Sequence, residues 1–374
     1  MNNKKRIRLW GLLVILLSLS LTGCWDNVPL ESRNLVDAMG FYPGPKPGWM
    51  TVYFEFPTPM GMAANTTSSS GGGSGPDFTY LTGIGRSLGE AFSAAQAKSS
   101  RDLYLGHVEL FVFSTHLPAP QFRTIVSSLA RIGTLDKTPF VAVTGAPFTE
   151  VLGKVSPQAR FPSLYFERLF SCPTCQQLGL GVRFWQLEER LATPGVDAVL
   201  PYIKPVAEGQ AVNRVALYRG PQYVTTLSVP ETTAYALIAG HSYKTSLYLT
   251  HAYDANLIAI TGPSRLSVAM VGHHVHATVN LALTATLESL NTNTETAQQL
   301  SQISQQASTV VAHTVAHFLE HTQKLDTDVL GVGRLLSWTA PRQFARVGSW
   351  AKRYPHVRFT VHCRVTINKM GDIK

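Results

Sequence analysis

Cysteine and histidine carry most of the chemistry open to this chain, which has four of the first and twelve of the second. Cys172 and Cys175 stand in a Cys-Pro-Thr-Cys run, the C-x-x-C spacing. A pair at that spacing can close a local disulfide, stay as two thiols, or take a metal or redox role. No βαβ pattern lies closely around it, and no second cysteine pair completes a zinc ribbon. Cys363 sits far away on the apolar side of a strand-like segment and reads as a small core residue. The local disulfide leads, with the other readings open. His313, His317 and His321 recur every four residues, which puts them in one row on a helix, and His274 and His276 fall on one face of a strand. Three imidazoles in a row suit Zn²⁺ as donors, but structural zinc takes four ligands. The row also lies only about one helical step from an apolar stripe, so a solvated boundary row is expected and no metal or other cofactor is assigned.

The sequence contains no G-x-S-x-G, H-E-x-x-H or Walker A run. Gly83, Gly85 and Gly89 imitate a phosphate-binding loop before a helix. Their spacing is one residue too long for the dinucleotide fingerprint, and turn glycines capping a helix account for them. A non-catalytic protein is expected.

Cys24 has a different setting. The chain opens MNNKKRIR, with four cations and no acid before Asp26, followed by the uncharged run Leu9–Leu21. A cationic region followed by a short apolar one is the pattern of a secretory signal peptide. At about 20 Å of helix the run is short for a hydrocarbon core of about 30 Å. Leu21, Thr22, Gly23 and Cys24 then resemble the lipobox of bacterial lipoproteins. That resemblance implies cleavage after Gly23 and a diacylglyceryl thioether on Cys24. Loss of residues 1–23 would lower the formal charge of +9 by four. The remaining charge is mild and shows no dense Lys/Arg run, which argues against nucleic acid and leaves a weak bias toward anionic lipid headgroups.

The elements that position these residues alternate in type. LVDAMGFY and WMTVYFEF read as an antiparallel pair around the Pro43–Gly48 loop, and a flexible Ser/Gly loop covers 64–77. LGEAFSAAQAKSS and QFRTIVSSLARI read as helices, HVELFVFS and PFVAVTGA as strands, while Ser156–Gly181 resists assignment. NRVALYRG and QYVTTLSVP flank a Gly-Pro turn, with SLYLTHAY and NLIAITGP continuing the strand-like style, and RLSVAMVGHHVHATVNLALTATLES reads as one long or two bent strands. Leu300, Ile303, Ala307, Val311, Val315 and Phe318 mark a long helix over 294–323. Val357 to Ile367 alternates apolar and polar, the period of a half-buried strand.

Together these segments resemble the Ger(x)C family, the C-subunit lipoproteins of spore germinant receptors. The resemblance rests on the Cys24-Trp25-Asp26 start, LVDAMGFY, Tyr80–Phe92, RDLYLGHVELFVFS (Arg101–Ser114), QKLDTDVLGVGRLL (Gln323–Leu336) and the closing Ser349–Lys374. The chain departs from the family after Asp26, with Val28-Pro29-Leu30 where Glu-Leu is usual. The family implies an α+β fold of three mixed α/β domains with antiparallel-rich sheets. The resulting expectation is a signal peptide at 1–23, an N-terminal domain at 24–205, a small middle domain at 206–264 and a C-terminal domain at 265–374. The resemblance further implies lipid anchoring through Cys24 on the outer face of the spore inner membrane, and work with two multi-spanning A and B subunits in germinant sensing. It assigns no catalysis and leaves the subunit's own small-molecule ligand open. A solute-binding lipoprotein of a transporter is the competing reading, but such proteins have two similar parallel lobes, unlike this mixed, strand-rich chain.

Overall fold

The computed structural model describes residues 10–11, 29–58, 77–153, 158–172, 178, 180–241, 244–250, 254–291 and 296–370. A single 3₁₀ turn, Leu30–Ser32, leads into β1 (Arg33–Leu35), β2 (Ala38–Pro43) and β3 (Met50–Pro57). The Ser/Gly loop expected at 64–77 lies outside the described residues except for Asp77, and β4 (Phe78–Gly85) follows it. Next come α1 (Leu88–Gln96), β5 (Asp102–Tyr104), β6 (Leu110–Ser114), α2 (Ala119–Leu129), β7 (Phe140–Thr144), α3 (Phe148–Val151) and α4 (Pro162–Ser171). Then β8 (Val182–Arg183) and α5 (Phe184–Ala192) precede β9 (Val199–Val206), β10 (Gly209–Arg219) and β11 (Gln222–Thr226).

These strands form a nine-stranded mixed sheet in the order β11-β10-β9-β7-β6-β2-β3-β4, with β8 beside β7. Its centre, β2-β6-β7-β9, is parallel, and every residue of β6 and β7 is buried. Strands covered on both faces read as continuous apolar runs rather than alternating ones, which is why LFVFS and FVAVT look as they do. One face holds Leu88 and Ala91 of α1, Phe122 and Ile125 of α2, and Phe184 of α5. The other holds Phe148, Phe166 and Phe170 of α3 and α4. The antiparallel pairing of LVDAMGFY with WMTVYFEF is present as β2–β3, Ala38 opposite Glu55 through Pro43 opposite Met50.

After α6 (Val229–Ala239) come β12 (Leu247–Leu249), β13 (Ala255–Thr261), β14 (Ser264–Val271) and β15 (His274–Leu290), then α7 (Ala297–Lys324), α8 (Val332–Thr339), α9 (Pro341–Arg346), α10 (Trp350–Arg353) and β16 (Arg358–Met370). The strands build a five-stranded sheet, β12-β13-β15-β14, with β16 running parallel to β15 on its other edge. The stretch from Arg265, expected as one long strand or a bent pair, is a hairpin, β14–β15, turning at Gly272 with φ +60°. Helix α7 is opened by a capping box between Thr296 and Gln299, and its buried row Ile303, Ala307, Val311, Val315, Phe318 packs with Val365 of β16. The stretch 206–264 has no sheet of its own among the described residues. Its first two strands, β10 and β11, complete the large sheet, and β12 and β13 join the small one. Long ladders explain this: β10 matches β9 from Gly209–Val206 to Leu217–Val199, and β13 matches the far end of β15.

Candidate functional site

Of the expected anchor, the leader 1–23 lies outside the described residues apart from Trp10 and Gly11; the lipobox Leu21, Thr22, Gly23 and Cys24 lies wholly outside them. The chain downstream of it docks on the Arg101–Ser114 segment. There β1 pairs in parallel with β5, Arg33 opposite Asp102, and the Arg33 guanidinium lies 4.4 Å from the centre of the Tyr104 ring. Leu103 and Tyr104 of β5, with Leu105, border an open pocket of about 610 Å³ lined also by Leu88 and Phe92 of α1 and Ile132 after α2. Its volume and apolar walls fall in the range of sites that take a small molecule or an apolar side chain.

The same segment also borders a buried carboxylate cluster. Asp37, just ahead of β2, donates its amide to the Glu55 carbonyl of β3 at 2.9 Å. Glu55 is fully buried and accepts the Ser163 hydroxyl of α4 at 3.0 Å. His107 brings Nε2 to 3.6 Å from Asp37 Oδ1. Asp37 Oδ1 and Glu55 Oε2 have no hydrogen-bond partner among the described residues. Burial pushes the Asp37 carboxyl up to about 7, and the Glu109 and Glu167 charges add to the effect. Burial and then the Asp37 charge push Glu55 up to about 8, against the opposing Ser163 hydrogen bonds. Near neutral pH the pair therefore holds protons that ordinary carboxylates would have lost. With Glu55 at 0 % and Asp37 at 6 % exposure, those protons sit inside the sheet, away from any dissolved substrate.

A second polar cluster joins the two sheets. Asp328 is almost wholly buried and accepts the amides of Val332 at 2.9 Å and Gly333 at 2.8 Å, and the Trp350 indole at 2.9 Å. Burial pushes it up to about 6 despite those three donors. Its own amide donates to Asp197 Oδ2 at 2.8 Å, while the Asp197 amide donates to the Asp328 carbonyl at 2.8 Å. Arg190 of α5 reaches the Asp197 and Val329 carbonyls, and Glu189 pairs with Arg334 at 2.8 Å. Gly333 permits the approach: a Cβ there would lie 2.4 Å from the Trp350 ring. Gln323 donates to the carbonyls of Tyr354, Pro355 and Val357, so the Gln323–Leu336 motif and the closing segment are one interlocked joint.

The remaining candidates separate. His313 and His317 are exposed on α7, but His321 turns to Glu231, its Nδ1 2.5 Å from the carboxylate that completes the α6 capping box with Ser228. Among the described residues no group of three or more His, Cys, Asp or Glu is arranged to hold a metal. His274 and His276 share the solvent face of β15. Gly83 and Gly85 lie within β4 rather than in a turn, because α1 rests directly on that strand: a Cβ on Gly83 would lie 1.7 Å from the Ala91 carbonyl oxygen. The helix cap is Ser87. Cys172 follows α4 and is disulfide-bonded, and Cys175 lies outside the described residues. Cys363 is a free thiol pushed up to about 11 by burial. Sequence reasoning missed Asp37, Glu55, Asp197 and Asp328; the available signal was an acid set inside an apolar run, as in LVDAM and FEF.

Comparison with known proteins fits this picture. Residues 26–205 match the pattern described as "Spore germination protein N-terminal domain", and residues 213–371 match "Spore germination B3/ GerAC like, C-terminal". The chain belongs to the Ger(x)C family. A Ger(x)C relative, "Spore germination protein GerQC" of Bacillus cereus, is 22% identical over 377 residues, covering 96% of this chain and 98% of the relative. The fold is that of a solved structure, "Crystal Structure of the GerBC protein", with a TM-score of 0.57 at 13% identity over 90% of this chain and 99% of that one. Of the Ger(x)C motifs, LVDAMGFY holds Asp37, Arg101–Ser114 brings His107 against it, and Gln323–Leu336 holds Asp328. Among the described residues no helix is long and apolar enough to cross a membrane.

Proposed function

We propose that this protein is the lipid-anchored, non-catalytic C subunit of a spore germinant receptor, held on the outer face of the spore inner membrane through Cys24 and acting by contact with membrane-embedded A and B subunits. The observation that carries the proposal is the pair of family matches, which together run from Asp26, two residues after Cys24, almost to the end of the chain. The lipobox reading supports the anchor. Two acyl chains hold a protein stably where one does not, since each buried CH₂ contributes about 0.8 kcal/mol. The clusters support a scaffold role, because their acids are buried between packed elements rather than turned to a solute. Cys172 and Cys175 form the local disulfide in this reading, as the bonded state of Cys172 favours.

Fractionated spores test it. Cys24→Ala is expected to move the protein out of the inner-membrane fraction and to leave an unprocessed leader. Wild-type protein solubilised from that membrane is expected to co-purify with two multi-spanning subunits. Normal membrane retention of the alanine variant would refute the anchor; purification without membrane partners would refute the receptor assignment.

A further inference from the structure

The five-stranded sheet has one covered and one open face. On the covered face, Val275, Val279, Leu283 and Val365 pack under the helices. The alternate residues face solvent with no described element over them, and they include Arg265 of β14, His274 and His276 of β15, and Arg358, His362 and Arg364 of β16. No acidic residue occurs from 255 to 287, nor from 329 to 371, where eight Lys and Arg are found. Of these, Arg358, Arg364 and Lys369 lie on β16 and the other five on α8, α9 and α10. Arg265, Asn280 and His362 stand in one line across three strands, and Ala282 stands opposite Arg364. With strands about 4.8 Å apart and about 3.3 Å per residue, the cations cover a patch of roughly 10 by 20 Å. A shallow depression of about 400 Å³ lies among Arg265, Asn280, Ala282, His362 and Arg364. None of the three arginines is ion-paired to a described residue. The combined field is felt locally: Arg358, followed by slight desolvation and then His276, Arg353 and His273, holds the exposed His274 below its ordinary value.

We propose that this open face docks on an anionic phospholipid bilayer, its arginines meeting headgroup phosphates, with the depression seating one of them. Guanidinium matches phosphate oxygens in fork geometry and loses hydration readily. A bilayer suits the face better than an acidic protein segment. The open-face positions of β14, β15 and β16 carry no aromatic residue, the anchor type that protein interfaces centre on, and the cations are spread rather than gathered round a pocket. From the proposed function the inference takes only nearness to a membrane. Its test leaves out the acyl tether, so each can fail without the other.

The test uses the full chain carrying Cys24→Ala, floated with vesicles of phosphatidylcholine alone or with one third phosphatidylglycerol. It is repeated with R265E/R358E/R364E and R265K/R358K/R364K, whose leaders are identical and cancel. Three surface cations correspond to about a hundredfold in partition at low salt. The glutamate variant is expected to lose the phosphatidylglycerol-dependent excess by at least that factor, with binding to phosphatidylcholine and the thermal midpoint unchanged. The lysine variant should keep most of the excess, and high salt should abolish it. If the glutamate variant does not fold, R265Q/R358Q/R364Q takes its place with the same outcomes. An undiminished excess in the charge-removed variant overturns the proposal. So does a lysine variant as weak as the glutamate one, or binding to polyglutamate that equals binding to the anionic vesicles.

Discussion

Replacing Glu55 with glutamine should flatten the dependence of this protein's stability on pH. Glu55 and Asp37 both titrate in the folded state above their ordinary values, at about 8 and about 7. The native state therefore binds protons that the unfolded state has released, so the stability from these groups is full at acid pH and is lost as pH rises through the folded values. Each extra native proton gives a slope of about 1.4 kcal/mol per pH unit. Between pH 5.5 and 7.5 one site amounts to roughly 2–3 kcal/mol, a substantial part of the 5–15 kcal/mol that holds a typical domain together. Glutamine keeps the shape of Glu55 and the acceptor for Ser163. Asp37 stays raised in the variant, because burial and the Glu109 and Glu167 charges raise it, so the slope should fall by about one site. Urea unfolding at several pH values, followed by tryptophan fluorescence with a common m-value, measures the difference. E55Q should gain on the wild type steadily from pH 5.5 to 7.5. Parallel curves would mean that the pair does not hold a proton at neutral pH, and the electrostatic reading of the cluster would be wrong.

Asp328→Ala leaves the Val332 and Gly333 amides and the Trp350 indole without their buried acceptor. At about 1–3 kcal/mol per stranded donor, the three together should cost roughly 3–9 kcal/mol, and a fall of under about 1 kcal/mol in urea titration counts against the joint. Glu231→Gln probes the α6–α7 contact. Although burial raises Glu231, hydrogen bonds from Ser228 and His321 hold it below its ordinary value, so its contribution is present above about pH 4.5 and fades as pH falls further. The Tm gap between wild type and variant should be open at pH 7 and narrow at pH 3.5, and a constant gap would refute the assignment.

Much of the fold was legible because local pattern and tertiary role agree. The continuous apolar LFVFS and FVAVT lie at the centre of the large sheet, and Arg358–Ile367 alternates because one sheet face is open. Helix α7 carries both its apolar spacing and its capping box in the sequence. Helix α4 was missed although Pro162 stands in its first turn, with Phe166 and Phe170 one and two turns on. The polar clusters were illegible for a different reason. Ser163 lies 108 positions from Glu55 and Asp328 lies 131 from Asp197. Such partners are brought together by strand register and helix docking, which leave no local periodicity to read. His321 shows the same limit, since its spacing suggested a row of three while Glu231, 90 positions away, draws it into a different contact.

The turn between β9 and β10 falls in the gap where the first family pattern ends at 205 and the second begins at 213. Yet β9 and β10 are partners in one ladder, and Val199, Val215 and Leu217 share a core with α6 and α7. Lineage and cooperativity thus divide this chain at different places. A hybrid of two paralogues spliced at 205 would ask strands of different ancestry to zip together and would inherit mismatched side chains beneath them. A crossover that keeps β9 through β11 with one parent respects the hydrogen-bonded unit, so recombination between members of the family is constrained by this hairpin more than by the length of either half.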